Sequence, residues 1–570
     1  MLQDRQQNQP EKRLVESVEE KISFFSLEIN RLSGSQIIKR LLEGQYPQEL
    51  IRRLSNQDFL WLIKKVGEDD SHSLLAMATD AQWQYVLDLE LWEKDRFQID
   101  RTREWLKRFF KADSRRLAQW LFTEGQYLAY SFFYRILEVI SIDPDQYEEQ
   151  EIPEDYFSLD GTYYIQVKDE EYLSIVKDIL QEMLDTDSER YFWFLLSLGG
   201  IIPAETEEEM YRLRNARIAE EGFLSFDEAV GAYDPLDPSL LKYVSSQSTF
   251  EINVSKEKEG KSPFMPLFHA GEKNLLGEVL GRQTDPLFLD RLRLEFAGLC
   301  NQIYIADGHT SFEVESLANT CRKTAGYINI ALEERTGGDP AAAEKLMKSN
   351  SLLSIFRAGI NLAMQLKWEA DRVVRKSWFI TLGLMISFWG DPWGKTVEGL
   401  RKRRPLLYAG IEAKEPYRDF ERISDLEETR GRLGELKLLD DLFGRLDRVI
   451  PLDRHMSETG DFTFQPLLVT FWARKYIGIT PGYLPFSIDE AKKFFDSLRG
   501  SGQNPLRRTA GGWESFVNCF MEHTTGIHPI DKSTLEKALL HIWQEFTEEY
   551  ESVSSTDLDS RYSKLIMIEK

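Results

Sequence analysis

The sequence predicts a mainly α protein: an N-terminal α-helical repeat domain, or superhelix, with a small β-hairpin insert, followed by a second α-helical domain. Three observations support this prediction. Short segments with helical apolar spacing fill most of the chain, and each is opened by a capping residue. The caps near the N-terminus recur at a regular period. One Asp-Gly pair lies between two alternating runs, which is typical of a hairpin turn.

The helical segments between about residues 35 and 140 indicate two copies of a three-helix unit. The residues expected to open these helices are Ser55, Asp69 and Thr79, and then Asp100, Asp113 and Thr123. Equivalent caps lie about 45 residues apart, the period of HEAT or armadillo-type repeats. Ser55 with Asp58, and Thr79 with Gln82, have the spacing of capping boxes.

The one predicted β element is YFSLDGTYYIQV, residues 156–167, which alternates around Asp160-Gly161. An Asp-Gly pair in this setting favours a two-residue type I′ turn. Three helices are expected after it, over about 170–184, 188–198 and 204–221.

Composition divides the chain into segments. Proline, serine and lysine accumulate over 233–268, which predicts a linker between two domains. The predicted segments are a disordered tail at 1–20, a helical-repeat domain at 21–150, a hairpin with helices packing on that domain at 151–232, the linker at 233–268, a helical domain at 269–450 and a C-terminal helical segment at 451–570. Helix starts are expected at Ser487 with Glu490 and at Ser533 with Glu536.

The charge balance restricts the class of partner. The formal net charge is −24, with a pI of about 5.0. Such a polyanion is repelled by nucleic acid phosphates and by anionic lipid, so we expect no nucleic acid partner. Basic protein surfaces and divalent cations are electrostatically favoured.

Targeting and membrane signals are weak. The most apolar run, residues 378–389, is shorter than the ~20 residues that span a bilayer, so we expect no membrane insertion. Three widely spaced cysteines do not form a disulfide framework, and the polar N-terminus lacks the apolar core of a signal peptide. These features predict a cytoplasmic protein.

The stretch TDAQWQYVLDLELWEKD, residues 79–95, combines aromatic and acidic residues. On a helical wheel its apolar residues form two stripes: Trp83, Leu87 and Leu91, and Tyr85, Leu89 and Trp92. The acids fall between the stripes and are therefore not focused into one metal cluster. The pattern predicts a helix pressed between neighbours, with Glu93 and Asp95 at its end as groove-edge contacts for a basic partner.

Two further motifs are candidate partner-binding elements. Trp389 and Trp393 flank a Gly-Asp-Pro turn and could line a groove, although a turn that fills the core is the alternative. Arg401, Arg403 and Arg404 belong to the dense basic run RKRR, which either closes a helix or binds an acidic peptide.

Catalytic and metal motifs are sparse. Cys519, His523 and His528 have residue types that bind zinc, but a fourth ligand is not evident and a buried cysteine is the alternative. Asp307 and His309 could form an acid–base pair, or belong to a turn made by Gly308. Gly260-Lys261-Ser262 lacks the glycine that a phosphate loop needs at position 255. We therefore predict no cofactor.

Longer segments carry a resemblance to known proteins. They are LSNQDFLWLIKKVGEDDSHSLLAMATDAQWQYVLDLELWEKDRF, YFSLDGTYYIQV, GFLSFDEAVGAYDPL and RKRRPLLYAG. On these segments the chain resembles a bacterial family labelled only as a domain of unknown function. The N-terminal repeats are also loosely similar to the cytosolic helical superhelix of magnesium transporters. Neither resemblance implies functional residues, but the second favours an acidic, cation-sensitive scaffold.

The function that these observations favour is a helical-repeat scaffold or adaptor that binds another protein. The alternative is an enzyme or metal-binding protein with a site in the C-terminal half. Binding of divalent cations by the acidic helices is a third hypothesis.

Overall fold

The computed structural model describes residues 32–44, 46–93, 95–141, 155–243, 262–271, 274–309, 312–452, 463–499, 510–524, 526 and 528–569. The described chain is mainly α-helical, with three two-stranded antiparallel sheets, which confirms the predicted fold class. It divides into two compact units, Met1–Arg357 and Ala358–Lys570. The predicted tail, residues 1–20, lies outside the described residues.

The first unit consists of short helices followed by longer ones. Its helices are α1 (Gly34–Leu42), α2 (Pro47–Arg53), α3 (Asn56–Val66), α4 (His72–Met77), α5 (Asp80–Glu90), α6 (Ile99–Ala112), α7 (Ser114–Leu121), α8 (Gln126–Ile136), α9 (Glu170–Thr186), α10 (Ser188–Leu198), α11 (Pro203–Glu220), α12 (Phe226–Val230), α13 (Met265–Phe268), α14 (Leu275–Arg282), α15 (Pro286–Ala306), α16 (Val314–Thr336) and α17 (Pro340–Ser349). Its strands are β1 (Trp92–Glu93), β2 (Arg96–Phe97), β3 (Leu137–Ser141) and β4 (Tyr163–Val167). The boundary between the units falls within α18 (Leu352–Lys376).

The second unit combines long helices with one short β ladder. Its helices after α18 are α19 (Trp378–Thr381), α20 (Lys395–Arg401), α21 (Ile423–Val449), α22 (Phe464–Tyr476), α23 (Ile488–Arg499), α24 (Ala510–Met521) and α25 (Pro529–Tyr550). Its strands are β5 (Leu407–Tyr408) and β6 (Tyr417–Arg418). The predicted capping box at Ser487 opens α23, whereas α25 begins at Pro529 and not at Ser533, because proline suits the first helical turn.

Three of the six predicted repeat caps hold a helix N-terminus. The side chains of Ser55, Thr79 and Asp113 accept backbone N–H groups at the starts of α3, α5 and α7. The other three predicted caps do not open helices. Asp69 pairs with Arg108, and Asp100 lies inside α6. Thr123 donates its hydroxyl to a backbone carbonyl of α7. The 45-residue repeat stays a prediction.

The β element has a different partner from the predicted one. Strand β4 pairs along its length with β3, a segment for which no strand was predicted. Phe157 makes only an isolated bridge to Ile165. The two-residue turn at Asp160-Gly161 was wrong: the Asp160 carboxylate accepts the backbone N–H groups of Thr162 and Tyr163, which holds the chain in a wider loop.

Helix α5 is shorter than predicted. It ends at Glu90, and Trp92–Glu93 then pairs with Arg96–Phe97 in a tight antiparallel ladder. The ladder reverses the chain before α6, so the stretch 79–95 is a helix followed by a turn. Its buried face nevertheless contains Trp83, Tyr85 and Leu87, as the two-stripe pattern predicts.

The predicted linker, residues 233–268, has described flanks within the first unit, while residues 244–261 lie outside the described residues. Tyr243 donates its hydroxyl to the carbonyl of Arg335. On the other side, the backbone N–H of Met265 donates to the carboxylate of Asp58, at 2.9 Å. These bonds fix both flanks to helices of the first unit.

Two buried carboxylates cap helices from a distance. Asp58 accepts the backbone N–H groups of Phe264 and Met265 at the start of α13. Asp440 accepts those of Trp378 and Phe379 at the start of α19. Burial raises the pKa of each aspartate to about 6, against the opposing effect of these hydrogen bonds.

The raised pKa values predict a loss of stability as pH rises. The two folded-state values lie above the unfolded value of 3.8, so the stability that these groups contribute is complete below about pH 4 and is lost through pH 6. Relative to Asp58→Asn or Asp440→Asn, the wild type should lose roughly 2 kcal/mol between about pH 4 and pH 7. Denaturant midpoints at the two pH values measure this difference. If the difference in stability between wild type and variant does not change with pH, the pKa of the substituted aspartate is not raised in the folded protein.

Candidate functional site

One polar stripe runs along helix α5. Asp80, Gln84 and Asp88 are spaced by four residues and therefore lie on one face of the helix. Gln84 donates its amide to the carboxylate of Asp88 at 2.9 Å. Arg116 of α7 pairs with Asp80 and covers the ring of Trp83 at 4.2 Å. The stripe runs from an exposed end at Asp80 to a buried end at Asp88.

Asp88 is the most enclosed acid of the stripe. It is 4% exposed, and Arg217 of α11 binds its two carboxylate oxygens at 2.7 and 2.8 Å. Arg214, one turn earlier in α11, donates to the backbone carbonyl of Asp88 at 2.6 Å. Burial raises the pKa of Asp88, which the hydrogen bonds and charge of Arg217 oppose. The pair joins α5 to α11 through a fork-to-fork contact, the geometry in which arginine binds carboxylate best.

A cleft of about 140 Å³ opens beside this pair. Its polar floor is made by Gln84 and Asp88 of α5. Its other walls are the turn that precedes α8, the start of α8 and one side of α11. The residues that line it, besides the two on the floor, are Leu87, Leu91, Trp92, Thr123, Glu124, Gly125, Tyr127, Leu128, Met210, Leu213 and Arg217.

A second cleft, of about 410 Å³, shares two lining residues with the first. Thr123 and Glu124 line both clefts, so that the two adjoin. The remaining residues of the second cleft are Asp80, Arg116, Gln119, Trp120, Phe122, Thr186, Asp187 and Arg190. We call the two clefts together the α5 groove.

The α5 groove offers polar and apolar contacts side by side. Its charged side chains are of both signs, and several of them already pair within the protein. Of the two aromatic residues that line the first cleft, Tyr127 is 42% exposed and Trp92 is 2% exposed. Aromatic and arginine side chains beside a polar floor are typical of surfaces that bind polypeptide.

Glu93 and Asp95 lie near one end of the groove. Glu93 follows Trp92, which lines the first cleft, and its side chain is exposed on β1. Asp95 is exposed in the turn between β1 and β2. Neither residue lines the groove, so a role as edge contacts stays a prediction.

Trp389 and Trp393 lie in the core of the second unit. Trp389 is fully buried and packs against Phe379, Phe388, Phe443 and Phe464. Trp393 is 1% exposed and donates its indole N–H to Glu435 at 2.9 Å. The interpretation of these tryptophans as surface contacts for a partner was wrong, because their rings fill the space between helices.

The basic run closes a helix, as one of its two interpretations predicts. Helix α20 ends at Arg401, which pairs with Asp371 at 3.0 Å, and Arg403 is exposed. Arg404 is half-buried and interacts with other groups of the protein.

The predicted metal ligands do not form a recognisable centre. Cys519 is 3% exposed, and burial raises the pKa of its thiol to about 11. His528 accepts the backbone N–H of Ile530 at the start of α25, and the backbone carbonyl of His523 accepts a bond from Arg445. Within the described residues, no group of three His, Cys, Asp or Glu side chains has the arrangement of a metal site.

Asp307 and His309 do not pair with each other. Asp307 accepts from the hydroxyl of Tyr233 at 2.8 Å and from Lys323 at 3.1 Å. His309 stacks on Tyr304 with ring centroids 4.4 Å apart. Gly308 has φ of 88°, the left-handed turn that the sequence predicts between two helices.

Sequence reasoning missed Asp88 and Arg217, which are 129 residues apart in the chain. The wheel placed Asp88 in a gap between apolar stripes, where an exposed acid is the usual interpretation. The signal that could have found it is the four-residue spacing of Asp80, Gln84 and Asp88 on a helix with two apolar sides.

One family model matches residues 20–569, and its description is "Family of unknown function (DUF6178)". No curated protein and no solved structure matches the chain. The similarity to magnesium transporters therefore stays a prediction. Among the described residues, no helix is both long and apolar enough to cross a membrane.

Proposed function

We propose that this chain, which belongs to the DUF6178 family of unknown function, is an adaptor that binds a segment of another protein in the α5 groove. The observation that carries the proposal is that Thr123 and Glu124 line both clefts. Asp80 lines one cleft and Asp88 the other, about 12 Å apart along α5, and a surface of this length suits a polypeptide segment better than a small molecule.

The chemistry of the groove supports a polypeptide partner. The stripe Asp80, Gln84 and Asp88 lies beside apolar walls such as Met210 and Leu213, an arrangement that matches alternating polar and apolar side chains. The arginines that bind Asp80 and Asp88 hold the floor in one arrangement before any partner arrives. A preformed surface loses less entropy on binding.

A charge reversal in the shared wall tests the proposal. Glu124 is exposed and lines both clefts, so Glu124→Arg changes the groove without removing a buried contact. Immobilised full-length protein should capture its partner from native lysate, and the variant should retain about a tenth of it or less, which corresponds to ~1.4 kcal/mol. Quantitative mass spectrometry of the captured proteins measures this.

Asp178→Arg is the matched control, because Asp178 is an exposed acid of α9 that does not line the groove. It makes the same change in net charge and should capture as much partner as the wild type. Equal capture by all three proteins, or no stoichiometric partner over a range of salt concentrations, would contradict the proposal.

A further inference from the structure

A basic surface lies on the second unit of this strongly acidic chain. It is formed by the C-terminal part of α18 and the end of α20. Its residues are Lys367, Trp368, Arg372, Arg375, Lys376, Arg401, Lys402 and Arg403. The formal net charge of the whole chain is −24, so a concentration of cations at one place is a distinct local feature.

Two parallel stripes of α18 build this basic surface. Lys367, Asp371 and Arg375 are spaced by four residues, and the first two contact the end of α20. The Lys367 ammonium donates to the backbone carbonyls of Arg401 and Lys402 at 2.9 and 2.6 Å. Asp371 pairs with Arg401 at 3.0 Å. These contacts fix the end of α20 against α18 and bring the two groups of cations together.

The second stripe faces solvent. Trp368, Arg372 and Lys376 are again spaced by four residues, and all three are exposed, with Trp368 at 45%. In the described part of the chain, Arg372, Lys376 and Arg403 form no ion pair. The carboxylates nearest along α18 are engaged, Glu369 with Arg430 and Asp371 with Arg401. The exposed cations are therefore available to an external anion.

We propose that this basic surface binds an acidic helical segment of a partner protein, independently of the α5 groove. Carboxylates at four-residue spacing on such a segment match Arg372 and Lys376, and an apolar side chain one turn away matches Trp368. Cations at four-residue spacing recur every ~6 Å along a helix, and a helical ligand lying alongside has the same repeat.

The dimensions favour a short acidic segment over an extended polyanion. From Lys367 to Lys376 the surface runs about 14 Å along α18. A lipid surface or a nucleic acid would extend beyond this length onto a chain with a large net negative charge, which repels both. One segment of a few turns contacts the cations alone.

Fluorescence anisotropy with the full-length protein tests this inference. The probe is a fluorescein-labelled amphipathic peptide with glutamate on one helical face and leucine on the other. It should bind with an affinity that falls as salt is added. The double variant Arg372→Glu, Lys376→Glu should bind it about tenfold more weakly or worse. Any binding of the same peptide with lysine in place of glutamate should be unchanged in the double variant, because acidic surfaces elsewhere on the chain attract it.

Lys493→Glu with Lys537→Glu is the matched control, because both lysines are exposed on other helices of the second unit and the net charge changes equally. Its affinity for the peptide should stay within about twofold of the wild type. Vesicles of phosphatidylcholine and phosphatidylserine, and a labelled oligonucleotide, are tested in parallel. Peptide affinity that is absent, or equal in both double variants, overturns the proposal. It is also overturned if vesicles or oligonucleotide bind more tightly than the peptide in a manner that requires Arg372 and Lys376.

Discussion

Replacing Arg217 with alanine is expected to lower the free energy of unfolding of the first unit by about 3 kcal/mol. The change removes the two hydrogen bonds that Arg217 donates to the Asp88 carboxylate and leaves the Gln84 amide as its donor. Asp88 is 4% exposed and would then lie buried without its cation. The Arg217 side chain itself is 41% exposed, and water can enter from the cleft, which places the cost at the lower end of the range for buried pairs.

The loss of stability should be confined to α5 and α11, and it should depend on the two-pronged contact between Arg217 and Asp88. Hydrogen exchange of the backbone amides of α5 and α11 measures it as a lowered opening free energy. Arg217→Lys should recover only part of the loss, since an ammonium cannot bind both carboxylate oxygens in one plane. Arg212→Ala, on the same helix, is the control and should leave exchange unchanged, because Arg212 is exposed and, among the described residues, pairs only with Glu209. Equal protection in the Arg217 and Arg212 variants would show that the pair does not hold α11.

Replacing Gly222 with alanine is expected to cost about 3 kcal/mol or more. Gly222 follows α11 and has φ of 91°, a conformation that side chains with a Cβ rarely adopt. A Cβ at this position would lie 2.4 Å from the carbonyl oxygen of Gly298 in α15, and 2.7 Å from its Cα. The contact positions the end of α11, so the strain should also displace Arg214 and Arg217 from Asp88.

Substitution of Gly298, the other residue of this contact, should change the stability in the opposite direction. A Cβ on Gly298 would have no heavy atom within 4 Å, and the residue lies inside α15. Gly298→Ala should therefore stabilise the protein by about 0.5–1 kcal/mol through helix propensity alone. Denaturant midpoints of the two variants measure both effects. An equal shift of the midpoint in the two variants would contradict the close approach between Gly222 and Gly298.

Local signals in the sequence were sufficient to predict many helices. Helix α10 was expected over 188–198 and has those bounds, because a cap at Asp187 and the small residues after Leu198 are both local. The capping box of Thr79 and Gln82 forms in full. The capping box of Ser55 and Asp58 forms only in part. The Ser55 hydroxyl accepts the backbone N–H of Asp58, but the Asp58 carboxylate accepts backbone N–H groups 206 and 207 residues away.

The groove could not be predicted in the same way because its geometry depends on distant contacts. Asp80, Gln84 and Asp88 are visible as a stripe, but the arginines that bind the two acids come from α7 and α11. The same holds for strand β4. Its alternation predicts a strand, but its pairing with β3 could not be predicted, because a long connection separates the two strands in the chain. Spacing specifies a face of an element, and tertiary packing determines what that face meets.

The central claim is that a partner protein occupies the α5 groove, and site-specific photo-crosslinking tests it most directly. A photoreactive amino acid at Gln119, which is exposed and lines the second cleft, should crosslink the partner that the full-length protein captures. The same amino acid at Ser174, exposed on α9 and about three turns from Thr186, should not. A crosslink from Gln119 that is lost in Glu124→Arg is the predicted result. A partner that crosslinks from Ser174 and not from Gln119 would contradict the claim.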